Sequence, residues 1–172
     1  MNVELPLSYL IEVQIDQQFD DQLASRPLRQ TAQAVLEHQQ VPGPCELAVV
    51  VSDDAALYEL NRRHRGVNAP TDVLAFPDDT RGPFVGAPGM PRYLGDVVIS
   101  FQRAEVQASE AGHDTLAEIH LLVVHGILHL LGYDDTTEQQ RARMWAVQAE
   151  ILQSLGIQAH PPARSQCTDR TS

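Results

Sequence analysis

Two histidines, His125 and His129, stand four residues apart in the stretch HGILHLLGYDD. On a helix that spacing puts both imidazoles on one face about a turn apart, where a single metal ion can take a nitrogen from each. Histidine pairs at this spacing also arise by chance in helix cores, so the continuation matters. Gly132 lets the chain leave the helix through a left-handed turn, after which Asp134 or Asp135 can bring a carboxylate back to the same ion. The whole pattern is H-x3-H-x2-G-x2-D. The other histidines are poorer ligand candidates. His120 points away from the metal face and reads as a packed residue, while His113 and His160 have no partner visible in the sequence.

The run resembles the metzincin protease helix, in which two histidines and a third ligand after a glycine turn hold zinc. Those proteases carry a glutamate directly after the first histidine as general base, and here that place is Gly126. A zinc ion could still lower the pKa of water towards ~7, but peptide cleavage has lost its proton carrier.

A second group of interest is basic. All twelve basic residues are arginine, and Arg62, Arg63 and Arg65 fall within RRHR. The planar guanidinium suits phosphate, so a small cluster can hold a nucleic-acid backbone locally. The net charge of −11 argues against a protein that coats nucleic acid by long-range attraction. Solvated cations at a helix end would explain Arg62 and Arg63 equally well.

Several elements must position these groups. The alternating run at Tyr9 to Asp16 predicts a strand, and Leu28, Ala32, Val35 and Leu36 predict a helix from near Ser25 with Pro27 in its first turn. The β-branched run Cys45 to Ser52 reads as a central strand. Ser52, Asp53 or Asp54 can cap a following helix that Gly66 ends. Asp72 to Phe76 and Leu94 to Ser100 read as two further strands. The proline- and glycine-rich segment between them, Pro77 to Tyr93, suggests a substrate-side flap or a plain connection. A helix over Phe101 to Gly112 follows, and Thr115 with Glu118 predicts a capping pair for an apolar helix running to Leu131. The last helix is expected from Thr136, with Met144, Val147, Ile151 and Leu155 on one side, to Gly156. This order predicts an α+β fold: a small mixed four-stranded sheet covered by about five helices, with the metal site at the end of a central apolar helix.

At 172 residues, with 43% hydrophobic and 20% charged residues, the chain suits one globular domain, expected over 1–158, with a polar, disordered tail at 159–172. No apolar run is long enough to span a bilayer and no signal segment opens the chain, so no membrane association is expected. Cys45 and Cys167 differ too much in setting to suggest a disulfide, and a reducing cytoplasm fits best.

The blocks LNRRHRGVNAPTDVLAFP, LGDVVIS and HGILHLLGYDD together resemble the YbeY family of bacterial zinc-dependent endoribonucleases, also described as ribosomal RNA maturation factors. The likeness covers about Leu60 to Asp135. In the family pattern HGxLHLxGYDH the last position is a third zinc-binding histidine, and this chain has Asp135 there. The resemblance therefore implies one zinc per chain held by His125, His129 and Asp135, a ligand set chemistry allows, although an anionic ligand makes the ion a weaker acidifier of water. Asp134 matches the family's non-ligand aspartate. His64 and Ala75 depart from the family's tyrosine and serine, and neither removes a needed group.

The resemblance also implies catalytic parts for Arg65 and His125, the arginine stabilising charge on a phosphodiester under attack. Asp72 and Asp96 are expected to line the cleft or cap local structure. Single-stranded RNA, ribosomal RNA in particular, is the implied substrate, with no DNA expected and a ribosomal protein as a partner that aids targeting of so acidic a chain. Attack by water would leave a 5′-phosphate, whereas attack by the ribose 2′-hydroxyl passes through a cyclic phosphate. A ribosome-assembly factor with a structural metal is the alternative, and a metzincin-like protease a weaker one.

Overall fold

The computed structural model describes residues 8–78 and 91–159. The elements follow in the order β1 (Tyr9–Ile15), α1 (Ser25–His38), β2 (Cys45–Ser52), α2 (Asp54–Arg65), β3 (Val73–Pro77), β4 (Arg92–Ser100), α3 (Phe101–Ala111), α4 (Thr115–Leu130) and α5 (Glu138–Ser154), with a short 3-10 turn at Gln17–Phe19. The four strands form one sheet in the order β1-β2-β4-β3, parallel except for the antiparallel β3–β4 pair. The α+β expectation with a mixed sheet and five helices is borne out. Most of the segment expected as a flap, the tail beyond Ala159, His160 and Cys167 lie outside the described residues.

Alternation along the strands divides the sheet into two faces. Leu47, Val49, Val51, Val97 and Ile99 point into the main core with α1 and α4, whereas Leu74 and Val98 pack against Leu57 of α2 on the opposite side. A slip of one residue would exchange these sets, so the register of β2 and β4 is tightly specified. One bulge interrupts it between Glu46 and Leu47, where Leu94 of β4 is skipped and Gly95 resumes the pairing. Gly95 sits at φ 139°, and a Cβ there would overlap the Phe76 carbonyl oxygen, which makes glycine the residue the bulge requires.

Helix α4 is apolar nearly all round, and Ala117 to Leu128 are buried throughout. Such a helix belongs in the middle of a fold, and α4 packs against β3, β4, α1, α3 and α5. Its cap differs from expectation. Asp114 is the N-cap, accepting from the Ala117 N–H at 2.7 Å, which leaves Glu118 one position too late for a capping box. Glu118 instead meets His113 Nε2 at 2.5 Å in a buried pair, the partner that the sequence hid. The last helix starts two residues later than expected, with Thr137 and Gln140 forming a capping box. Among the described residues no helix is long and apolar enough to cross a membrane.

Candidate metal centre

The C-terminal turn of α4 delivers the two histidines. The helix closes with Gly132 N–H on His129 O at 3.0 Å and Tyr133 N–H on Leu128 O at 3.0 Å, and Gly132 takes φ 101°. Asp134 then folds the chain back. One of its oxygens accepts from the Asp135 N–H at 2.7 Å and the other from Thr136 Oγ1 at 3.0 Å. These donors, the Asp135 N–H foremost, hold the Asp134 carboxyl below the usual carboxylate range.

That turn aims Asp135 at the histidines. Its Oδ2 stands 3.9 Å from His125 Nε2 and 3.8 Å from His129 Nε2, and the two nitrogens are 3.1 Å apart. Donors ~2.0–2.1 Å from a tetrahedral ion lie about 3.3 Å from one another, so this triangle is of the right size and slightly open on the carboxylate side. Among the described residues it is the one cluster of three His, Cys, Asp or Glu side chains with converging donor atoms. The structure thus brings His125, His129 and Asp135 together and leaves Asp134 engaged with its own turn.

The residue that completes the arrangement was not legible beforehand. Gln148 on α5 is 3% exposed, and its Oε1 lies 2.6 Å from Nδ1 of His125, itself 5% exposed. An amide oxygen only accepts, so the His125 proton sits on Nδ1 and the Nε2 lone pair faces His129 and Asp135. A buried imidazole of fixed tautomer and a half-buried one beside a carboxylate suit a divalent cation, and the residues therefore fit the metal the sequence implied.

Gly126 explains the missing glutamate. A Cβ there would overlap Val97 Cγ1 of the sheet and crowd Val73 Cγ2 at 3.3 Å. Helix and sheet touch through this glycine, no side chain fits, and the protease reading loses its general base on steric grounds.

The cluster lies in an open cavity of about 360 Å³ whose other walls include Arg65, Asn61, Asp72 and Thr136. Of the RRHR arginines, Arg62 and Arg63 bind Glu59 at 2.6 and 3.0 Å on the outer surface, while Arg65 reaches the cleft. Asn61, buried and also missed in the sequence, donates to Ala69 O at 3.0 Å and ties the end of α2 to the cleft wall. Asp72 accepts from the Val73 N–H at 2.8 Å and from Gln107 at 3.2 Å, and so both lines the cleft and caps β3. Asp96 instead accepts from the Tyr93 hydroxyl and does not line this cavity. His120 is a core residue bonded to Thr31 Oγ1 at 2.7 Å, and burial lowers its pKa. Among the described residues Asp72, Asp134 and Asp135 face Arg65 as the cleft's one arginine, a balance that repels a polyanion until a cation is added.

The fold is similar to the solution structure of a Thermotoga maritima protein, with a TM-score of 0.54 and 22% identity over 86% of this chain and 92% of the other. Sequence similarity is closer to proteins described as endoribonuclease YbeY. That from Chloroflexus aggregans is 46% identical over 154 residues, covering 88% of this chain and 99% of the relative. That from Roseiflexus sp. strain RS-1 is 43% identical over 149 residues, covering 86% and 93%. A family model described as endoribonuclease YbeY matches residues 10–156, almost the whole described chain, and with it the helix, turn and cleft above: the chain belongs to the endoribonuclease YbeY family.

Proposed function

We propose that the protein cuts single-stranded RNA, ribosomal RNA in particular, at a zinc centre held by His125, His129 and Asp135, with Arg65 on the scissile phosphate. Family membership makes the protein a metal-dependent hydrolase of RNA phosphodiester bonds; the proposal adds the metal, the residues and the substrate. The observation that carries it is the convergence of three donor atoms within 4.8 Å of one another beside an arginine in one open cleft. Two imidazoles and a carboxylate are a zinc set, and one ion there supplies Lewis acidity that no side chain of the cleft has.

The chain's own groups do the rest. Gln148 holds the proton on His125 Nδ1, and the Asp134 turn holds Asp135 in place. Arg65 binds the phosphate and stabilises the charge that gathers on its oxygens. With Asp72, Asp134 and Asp135 in the cleft, the site engages RNA only once the cation has offset them, so binding and cleavage depend on metal together. The place of action under this reading is the cytoplasm.

The test is cleavage of end-labelled single-stranded and duplex RNA by purified protein, with and without chelator. Cutting of the single strand alone, lost with chelator and restored by zinc, supports the reading. Metal-loaded protein that never cuts RNA would turn the balance to the assembly-factor alternative.

A further inference from the structure

Three pockets adjoin one another around the C-terminal end of α4. The cleft of the metal centre shares Asp134 with a second cavity of about 290 Å³, walled also by Tyr133, Gln140 and Arg143. That cavity shares Leu131 with a third of about 250 Å³, which holds Arg92 beside Gln39. The Tyr133 hydroxyl donates to Gln39 Oε1 at 2.8 Å, so the second and third pockets meet across one hydrogen bond.

Among the described residues each pocket contains one arginine: Arg65, then Arg143, then Arg92. All three are exposed, and among the described residues none of them forms an ion pair, in contrast to Arg62, Arg63 and Arg103, which bind carboxylates elsewhere on the surface. On a chain of net charge −11, guanidinium groups held in successive cavities without a direct carboxylate partner among the described residues are placed to meet an anionic ligand. The middle pocket adds a planar one. The Arg143 guanidinium carbon lies 5.7 Å from the centre of the Tyr133 ring, which backs it as a platform.

We propose that the second and third pockets are a track for the single-stranded RNA that enters the metal centre, with Arg143 and Arg92 each holding a phosphate beyond the scissile one and one base stacked on the Arg143–Tyr133 platform. This rests on the RNA-cleaving reading of the cleft. Guanidinium groups fork onto phosphate oxygens, and stacking on a flat cationic or aromatic surface accepts any base, so the track selects unpaired strands without reading sequence. A duplex, whose bases are already stacked on one another, offers nothing to the platform.

The experiment measures binding separately from cutting. A fluorescent nine-nucleotide RNA, methylated at every 2′-oxygen and with phosphorothioate linkages, is titrated into the zinc-loaded full chain across a range of salt. Arg92→Ala and Arg143→Ala are each expected to lower the slope of log affinity against log salt by about 0.7, the value for one lost phosphate contact on a single strand. Arg143→Ala also loses the stacked base, for an affinity about tenfold weaker, whereas Arg143→Lys keeps the slope and loses only the stacking part. Arg26→Ala serves as control, since Arg26 lines none of the three pockets. Slopes and affinities of the Arg92 and Arg143 variants that match the Arg26 control overturn the track, as does a wild type that does not bind the oligonucleotide. Cleavage of unmodified RNA by wild type, run alongside, decides the catalytic reading on its own, so failure of the track and failure of the nuclease are told apart.

Discussion

His125 and Gln148, twenty-three positions apart in the chain, meet through a 2.6 Å contact between Nδ1 and Oε1, both side chains buried. This contact turns a histidine of the core into a ligand, because it assigns the proton to one ring nitrogen and the lone pair to the other. Gln148→Leu should therefore weaken metal affinity about 10–100-fold, while Gln148→Glu, with a charged acceptor in place, should hold the metal at least as tightly as wild type. Competition against a chromophoric chelator reads both. An affinity unchanged in Gln148→Leu would show that His125 needs no such partner.

Arg65→Ala should reduce the cleavage rate about 10²–10³-fold, the usual cost of one lost donor to developing charge, with zinc content and melting temperature preserved. Arg65→Lys should recover only part of the rate, since a point charge does not reproduce the fork. Kinetics and elemental analysis on the same preparations check this. Arg62→Ala, with its partner Glu59 on the outer surface, should stay close to wild type.

Gly126→Ala should destabilise the fold by about 1–3 kcal/mol through overpacking against Val97 and Val73. Urea unfolding of the two proteins measures it. A stability equal to wild type would mean that α4 can lift off the sheet freely, and the steric argument against a glutamate at this place would fall with it.

His120 gives the stability a pH dependence of known sign. Burial lowers its folded pKa below the unfolded value of about 6.5. As pH falls through that value the unfolded chain takes up a proton that the folded chain refuses, so stability is lost on the acid side and the slope persists down to the folded pKa. His120→Leu should flatten the fall between pH 7 and 5 in urea midpoints compared with wild type. An equally steep fall in the variant would assign the slope to other groups.

Much of this is legible in the amino-acid sequence alone. The histidine spacing and Gly132 announce a helix face and a reversal, because a helical period and a positive φ leave marks in local sequence. Asp134 and Asp135 were less separable by spacing alone; the turn decides between them, since Asp134 spends both oxygens on Asp135 and Thr136. Gln148 and Asn61 left no mark, because a buried amide on a distant helix looks like any surface glutamine or asparagine until the tertiary contact is known. The α4 cap was misplaced by one residue for a related reason. Asp114 and Thr115 are both good N-caps, and the buried His113 that claims Glu118 is what separates them. Strand order is likewise a long-range property, and the sequence announced the strands without the order β1-β2-β4-β3.

The central claim is that His125, His129 and Asp135 hold one catalytic zinc. Metal content by elemental analysis on wild type, His129→Ala and Asp135→Ala, with cleavage of a labelled single-stranded RNA on the same samples, tests it most directly. The account predicts about one zinc per chain in wild type and joint loss of metal and cutting in both variants. An Asp135→Ala protein that keeps its zinc and its activity would contradict it.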